Sequence, residues 1–499
     1  MGSRIFHFLH RFFYYIFFAV ILLLVGLNIF ISRGYSTLSV EPPAYFNSIT
    51  LVIAILLAVL VYRFRLHLVA FLGKIPGIYA VIGLLGVSLI LQLLTIKELN
   101  VNPTWDFGAI VDSAKLFVEK GEIGDYFTIY PNNILLVCIL AVIGKLSTPA
   151  LLVFQLFNVM VITTSQYLIY RIASKVAGQA VGMASLLVSV LFFPYFFYAP
   201  VVYTDTISLI FLLLPLHVLI NKDGNLRGDL LAIITASVIF SFGMLLKGSL
   251  IIFTIAFAII LFLFMKKWKK LYAVIPFIVL LIVKTLFTNG IYQLGILDKE
   301  TVEKRSMPVT HWMVMGQNED RFGKYAQTDV DFTTNLLKEY PREEVTEAHI
   351  KELKNRLTEK GLSGNIAFNM EKIGHTWTDG TYYSLNKLRR YPVHPENFQR
   401  LTEDKSGHAL QGYARVQHLL LFFGLLLLAF RFKGNHPFTS FAMLSIIGFF
   451  LFFILWETRS RYLVSLTPLI IMLSCMGYLG AGRRLGVGRR DRSLVPDSK

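Results

Sequence analysis

The sequence predicts an all-α protein that crosses a membrane many times, and two observations carry this prediction. The chain has 499 residues, of which 55% are hydrophobic and only 16% are charged, and its mean hydropathy is +0.60. A soluble chain of this length would carry more charge. Apolar runs of about 17–24 residues recur along the chain, and a helix of that length crosses roughly 30 Å of hydrocarbon.

The apolar runs predict about twelve membrane spans. The first follows a basic N-terminal segment, and we interpret it as a retained helix because no small-residue cleavage site follows it. The predicted spans are 12–31, 47–64, 76–96, 148–171, 176–193, 202–220, 229–246, 249–265, 271–287, 414–430, 437–456 and 462–481.

One further apolar run, at 132–146, is short for a crossing. If this run lies at the membrane interface, every later basic connector falls on the side that also holds both termini. Lys and Arg are enriched on the cytoplasmic side of membrane proteins. We therefore expect a plasma-membrane protein with cytoplasmic termini and an extracytoplasmic outer surface.

Three parts are expected from this topology. Residues 1–287 form an N-terminal membrane domain with an outer loop at 97–147, residues 288–412 form a small extracytoplasmic cap, and residues 413–499 form C-terminal membrane helices with a basic cytoplasmic tail. No repeat or linker marks a further domain.

The cap is expected to be ordered and partly helical. Its stretch "YPREEVTEAHIKELKNRLTEKG" has a proline where a helix begins and a glycine where it ends. Apolar or aromatic residues recur along one face of that helix, namely Val345, His349, Ile350, Leu353 and Leu357.

The net charge of +17 suggests a nucleic-acid partner until the charges are located. The excess of Lys and Arg lies in short connectors and at the termini, in "YRFRLHLVAFLGK", "MKKWKK", "RFKG" and "GRRLGVGRRDR". This distribution determines topology and attracts anionic membrane lipids. A nucleic-acid partner is excluded on this ground.

Metal and disulfide chemistry have little support in the sequence. Cys138 and Cys475 lie in separate apolar segments, so neither a disulfide framework nor a cysteine metal site is expected. No HExxH spacing occurs. We expect no obligatory cofactor, and a divalent cation is not indicated.

Charged residues are expected at the outer ends of several spans. Each aspartate among them would also suit a helix cap. Charges at membrane depth cost a few kcal/mol unless they are partnered, so they are functional candidates. Carboxylates and fixed cations on one surface suit an anionic, lipid-linked substrate. The group consists of Asp106, Asp205, Lys247, Glu457, Arg459 and Arg461.

Aromatic residues accompany these charges on the predicted outer surface. Trp and Tyr can stack on sugar faces, although an interfacial aromatic belt is the more frequent explanation for any single tryptophan. His311 is a candidate general base or a simply hydrogen-bonded histidine. The candidates for substrate contact are Trp105, Tyr130, His311 and Trp312.

The order of these motifs resembles the GT-C superfamily of membrane glycosyltransferases, in particular bacterial members grouped with protein O-mannosyltransferases and aminoarabinose transferases. The motifs are "WDFG", "YPNN", "YTDT", "LLKGS" and "ETRSRYL", and they extend over most of the chain. The resemblance implies that Asp106 is the catalytic aspartate and that Asp205 is the second acidic position. It further implies that Lys247, Arg459 and Arg461 bind the donor phosphate.

The function implied by the resemblance is an inverting sugar transfer at the extracytoplasmic face. The donor would be a polyprenyl-phosphate monosaccharide, and the acceptor a cell-envelope glycopolymer such as a teichoic acid or polysaccharide, or a glycolipid. Phe107 and Gly108 follow Asp106, where the family often has a second acidic residue, which weakens the case for a metal site there and leaves metal dependence open. The alternative is a transporter or flippase of lipid-linked sugars, and a purely structural envelope protein is a third possibility. The sequence does not identify the sugar.

Overall fold

The computed structural model describes residues 2–30, 45–75, 77–431 and 435–480. Within these ranges all secondary-structure elements are α-helices or 3₁₀-helices, apart from isolated β-bridges. The basic cluster predicted to form the cytoplasmic tail, at 482–492, and most of "RFKG" lie outside the described residues. The prediction of an all-α polytopic membrane protein is confirmed.

The N-terminal part of the chain contributes a bundle of apolar helices and one excursion at its edge. The bundle begins with α1 (Gly2–Phe30), α2 (Phe46–Arg63), α3 (Arg65–Lys74) and α4 (Gly77–Glu98). The excursion holds α5 (Trp105–Lys120), α6 (Tyr126–Ile129) and α7 (Ile134–Leu146). The bundle continues with α8 (Leu151–Ala177), α9 (Gln179–Leu191), α10 (Phe193–Phe197), α11 (Thr204–Leu219), α12 (Leu230–Leu246), α13 (Ile251–Phe264) and α14 (Ile275–Gln293).

The remaining helices form the cap and then return to the bundle. The cap holds α15 (Lys299–Arg305), α16 (Val309–Gly316), α17 (Gln327–Glu339), α18 (Arg342–Trp377), α19 (Ser384–Leu388) and α20 (Pro395–Thr402). The bundle is completed by α21 (Asp404–Arg431), α22 (Pro437–Leu455) and α23 (Thr467–Leu479). A 3₁₀ segment at Ser460–Leu466 leads into α23.

Each predicted span coincides with a helix, but the helices differ in length. Eight described segments are long and apolar enough to cross a membrane. The spans predicted at 176–193, 202–220, 229–246 and 249–265 are helices of 13 to 17 residues. Non-helical residues interrupt the apolar runs at their ends: Lys247, for example, has an extended backbone between α12 and α13.

The two ends of the bundle carry different loops. At one end, Lys175 Nζ donates to the carbonyl of Ile220 at 2.8 Å, and Lys269 Nζ donates to that of Gly228 at 3.1 Å. We call this the far end, and the basic connectors at 64–75 and 265–274 lie there. The end that carries the cap is the cap end. This segregation agrees with the predicted positive-inside pattern.

The excursion between α4 and α8 leaves and returns at the cap end. Gln155, near the start of α8, donates to Asn100 Oδ1 at 2.8 Å, just beyond the end of α4. Helix α7 therefore does not carry the chain to the far end. The sequence predicts the same, because the run at 132–146 is expected to lie at the membrane interface.

Within the cap, α18 begins directly after Pro341 and bends at Gly361, whose φ of +60° suits a residue without a Cβ. Val345 and His349 are buried as predicted, but the prediction that Ile350 shares their buried face is wrong, because 54% of Ile350 is exposed. The inner face continues instead through Arg356, which pairs with the buried Asp329 at 2.7 Å.

The cap is fastened to the bundle close to the start of the last span. Lys372 Nζ donates to the carbonyls of Gly316 at 2.6 Å and Ile454 at 3.0 Å, joining α18 to the ends of α16 and α22. The amide of Glu457 donates to the carbonyl of Trp312 at 2.9 Å. These bonds fix the segment that carries the two predicted arginines against the cap.

Candidate active site

The candidate site lies at the cap end, where four chain segments converge. Asp106 and Asp205 lie in the first turns of α5 and α11, where the partial positive charge of the helix N-terminus favours an anion. Lys247 occupies the turn after α12, and Arg461 lies in the 3₁₀ segment before α23. Residues distant in sequence are thereby brought within contact.

The innermost contact is an ion pair between Asp205 and Lys247. Lys247 Nζ lies 2.8 Å from Asp205 Oδ1 and donates to Ser465 Oγ at 3.3 Å. Asp205 is fully buried and Lys247 is 9% exposed. The hydrogen bonds of Lys247 to Asp205 and Ser465 engage both charged groups with the protein itself.

Asp106 is the accessible carboxylate of the site, with 34% of its side chain exposed. Tyr203 donates to its Oδ2 at 3.1 Å and Tyr126 to its Oδ1 at 3.3 Å. Burial alone would raise the pKa of Asp106, but Arg461, Lys387 and the two tyrosine hydroxyls together lower it. Asp106 is therefore a carboxylate at neutral pH.

Arg461 connects the two carboxylates. Its Nη2 lies 3.4 Å from Asp106 Oδ2, and its Nη1 lies 3.8 Å from Asp205 Oδ2. The guanidinium is held between the rings of Tyr203 and Tyr462, at 5.1 and 5.0 Å from their centroids. Its Nη1 and Nε make no hydrogen bond within the described part of the chain, so both retain donor capacity.

The structure adds Lys387, which the sequence analysis missed. It lies on α19, is 6% exposed, and its Nζ lies 4.8 Å from the centroid of the Tyr203 ring. Burial, together with the charge of Arg461, lowers the pKa of Lys387 to about 7, although Asp106 and Asp205 act in the opposite direction. The basic run "KLRR" in a loop of nearly balanced charge was the available signal.

Arg459 and Glu457 lie beside this cluster. Arg459 Nη1 donates to the hydroxyl of Tyr383, and its Nε lies 3.7 Å from Glu457 Oε1. Glu457 Oε2 also accepts a hydrogen bond from Tyr462 at 2.6 Å. Glu457 thus fixes both its neighbouring arginine and the ring that flanks Arg461.

Three of the predicted aromatic contacts line the approach to Asp106. Tyr130 lies 5.0 Å from the ring of Tyr126 and 6.0 Å from that of Trp312, so a row of rings leads from the carboxylate to the cap. Trp105 is 68% exposed and adopts the left-handed region, with φ of +54°. A bulky residue rarely occupies that region unless its surroundings hold it there.

His311 is not brought to the site. It is fully buried in the cap, and its Nδ1 lies 2.7 Å from Thr333 Oγ1. Burial lowers its pKa to about 4, which keeps the imidazole neutral. As for a metal ion, no three His, Cys, Asp or Glu side chains among the described residues are grouped to hold one.

Comparison with known proteins gave one family match and one structural neighbour. A family model described as "conserved hypothetical integral membrane protein" matches residues 3–480, and no curated protein matches the chain. Among solved structures, the chain is similar to the archaeal oligosaccharyltransferase AglB from Archaeoglobus fulgidus, solved with an inhibitory peptide and a dolichol-phosphate. The sequence identity is 15%, the TM-score is 0.38, and the match covers 78% of this chain and 50% of that one. This chain thus spans about half the length of that oligosaccharyltransferase.

Proposed function

This chain belongs to the family of conserved hypothetical integral membrane proteins, and we propose that it is a GT-C-type glycosyltransferase. It moves a monosaccharide from a polyprenyl-phosphate donor to a cell-envelope acceptor at the extracytoplasmic face. The observation that carries the proposal is the different environment of the two carboxylates. Asp205 is paired with Lys247, whereas Asp106 is partly exposed and lies 3.4 Å from an arginine whose buried Nε and Nη1 have no hydrogen-bond partner in the described part of the chain.

The proposed reaction uses this pairing of a base with cations. An acceptor hydroxyl attacks the anomeric carbon, and its proton passes to Asp106. The bond from that carbon to the phosphate oxygen breaks, and the electron pair leaves with the lipid phosphate. The phosphate changes from a monoanionic diester to a dianionic monoester, and Arg461 and Lys387 stabilise the added charge. Attack opposite the leaving group inverts the anomeric configuration.

Lys247 contributes to this mechanism through Arg461. Lys247 neutralises Asp205 at 2.8 Å. Asp205 lies 3.8 Å from the guanidinium of Arg461 and makes no hydrogen bond to it. The contacts of Lys247 therefore favour a positioning role over the direct phosphate contact expected from the sequence.

Donor binding is expected to weaken about tenfold as the pH rises from 6 to 8.5, because Lys387 has a pKa of about 7 and loses its charge in this interval. The other groups that act on it are Arg461, Asp106, Asp205 and Arg390. A phosphodiester donor keeps its single charge across this range. The measurement is photocrosslinking of a photoreactive polyprenyl-phosphate sugar to purified protein.

The control for this pH dependence is Lys387→Arg, because arginine stays protonated throughout. This variant is expected to bind the donor with a flat pH profile, and Lys387→Met to bind weakly at every pH. An unchanged pH profile in Lys387→Met would show that another group titrates.

The sidedness of the site is open to a labelling experiment. A single cysteine at Ile350, in the cap, is expected to react with an impermeant thiol reagent in intact cells, and one at Asp223, at the far end, only after permeabilisation. The background lacks Cys138 and Cys475. Labelling of position 223 but not 350 in intact cells refutes the arrangement.

A further inference from the structure

We call Asp106, Asp205, Lys247, Lys387 and Arg461 the Asp106 cluster. Beside it, two arginines donate to one neutral oxygen. The hydroxyl of Tyr383 accepts hydrogen bonds from Arg459 Nη1 and, at 3.3 Å, from Arg390 Nη2. The two guanidinium carbons lie 5.2 and 5.9 Å from the centre of the Tyr383 ring. Two like charges this close repel each other, and a shared phenol does not neutralise either.

The nearby carboxylates do not compensate for both charges. Glu457 lies 3.7 Å from Arg459 and is also engaged by Tyr462. Arg390 forms no ion pair with any carboxylate that the structure describes. The pair of arginines therefore carries net positive charge and can accept an anion.

The backbone conformation around Tyr383 holds its side chain between the two arginines. Tyr382 and Tyr383 both lie in the left-handed region, with φ of +49° and +65°. The buried carboxylate of Asp379 holds them there, because its Oδ2 accepts from the amide of Tyr383 at 3.0 Å and from Ser460 Oγ at 2.6 Å. Ser460 lies between the two arginines of the "TRSR" segment, so Asp379 fixes the distance between the two cation-bearing segments.

The residues around Tyr383 are close neighbours in sequence of residues in the Asp106 cluster. Each of three segments gives one residue to the Asp106 cluster and a near neighbour to the outer group. The pairs are Asp106 with Trp105, Lys387 with Arg390, and Arg461 with Arg459. Arg390 lies 5.6 Å from the ring of Trp105. We call Trp105, Tyr383, Arg390 and Arg459 the rim site.

The rim site is the more exposed of the two groups. Trp105 is 68% exposed, and the side chain of Arg459 is 16% exposed, compared with 10% for that of Arg461. In the proposed reaction the donor phosphate occupies the inner cations, so the acceptor reaches Asp106 from the rim side.

We propose that the rim site binds a phosphate group of the acceptor, so that the acceptor is an anionic polymer with phosphodiester links rather than a neutral glycan. Paired planar guanidiniums suit the oxygens of a phosphate, and the exposed face of Trp105 suits a polyol or sugar unit next to it. This inference rests on the proposed function, since it names the substrate that Asp106 would deprotonate.

The test measures binding of a fluorescent poly(glycerol phosphate) chain to the full-length protein in detergent by fluorescence polarisation. Arg390→Gln is expected to weaken binding by at least about tenfold, because a charge-assisted contact is lost. The matched control is Arg171→Gln. Arg171 also donates to a tyrosine hydroxyl, that of Tyr167 at 3.2 Å, but far from the site, and its loss should leave binding unchanged.

A second measurement separates this inference from the proposed function. Photocrosslinking of the polyprenyl-phosphate donor is expected to persist in Arg390→Gln and to fall in Arg461→Gln. Failure of wild-type protein to bind any lipid phosphate counts against the proposed function, whatever the polymer result.

Three outcomes overturn the rim site as an acceptor-phosphate site. The first is equal poly(glycerol phosphate) affinity in wild type and Arg390→Gln. The second is equal or tighter binding of a neutral dextran or of the carboxylate polymer polygalacturonate. The third is loss of both donor and polymer binding in Arg390→Gln, which shows a single anion site.

Discussion

Replacing Asp106 with asparagine is expected to lower sugar transfer by about 10²–10⁴-fold in a protein that still folds, which is the usual share of acid–base catalysis. Asparagine keeps the shape and one oxygen that can accept from Tyr203 or Tyr126, which lie 3.1 and 3.3 Å from the carboxylate. It cannot take up the proton of an acceptor hydroxyl. Donor binding should persist when measured at pH 6, because Arg461 and Lys387 are present, although loss of the Asp106 charge lowers the pKa of Lys387 further.

The matched control is Asp112→Asn, on an exposed position of the same helix α5. This variant should transfer sugar at the wild-type rate. If Asp106 served only to cap the start of α5, asparagine would replace it well, and turnover would stay near normal. Near-normal turnover in folded Asp106→Asn would remove it as the base.

The second large effect is expected at the buried pair of Asp205 and Lys247. Lys247→Met should lower the free energy of unfolding by about 3–5 kcal/mol, because it removes the hydrogen-bonded partner of a fully buried carboxylate and leaves only Arg461, at 3.8 Å. The double variant Asp205→Asn/Lys247→Met removes both charges and should recover much of that loss. Thermal or denaturant unfolding in detergent measures the effect.

An exposed ion pair supplies the comparison. Asp125 and Arg305 lie 2.7 Å apart, against 2.8 Å for the buried pair, but 68% and 44% of their side chains are exposed. Arg305→Met should therefore change stability by about 1 kcal/mol or less. If Lys247→Met is as stable as wild type, or if the double variant is no more stable than either single one, the pair does not stabilise the fold as described.

The helices could be predicted from the sequence because membrane spans are determined locally. Runs of apolar residues have no other stable arrangement in lipid than helices whose backbone groups are satisfied internally. The exact ends of α9, α11 and α13 were not predicted, because the apolar runs continue past the residues where these helices end. The misassigned face at Ile350 has a similar origin, since the polar pair of Arg356 and Asp329 occupies the inner side.

Only part of the candidate site could be predicted from the sequence. Asp106, Asp205, Lys247 and Arg461 stood out because charges at the ends of spans need a reason, and the structure brings all four together. Lys387 and Arg390 did not stand out, because they lie in a loop where charge is unremarkable.

A long-range contact brings that loop to the site. The amide of Asn102 donates to the carbonyl of Tyr391 at 2.9 Å, and the amide of Val393 donates to that of Asn100 at 2.8 Å. This backbone pairing joins residues nearly three hundred positions apart. The local sequence of either segment does not predict it. The segment 387–390 is thereby placed against the start of α5.

The most direct measurement is turnover by the purified protein with a panel of polyprenyl-phosphate sugars and an envelope glycopolymer acceptor. We expect one donor to be consumed, with release of polyprenyl phosphate that requires the acceptor and is lost in Asp106→Asn. The account is contradicted if no donor is cleaved although the protein binds it. It is equally contradicted if lipid-linked sugar crosses a liposome bilayer unchanged, because that result identifies a transporter.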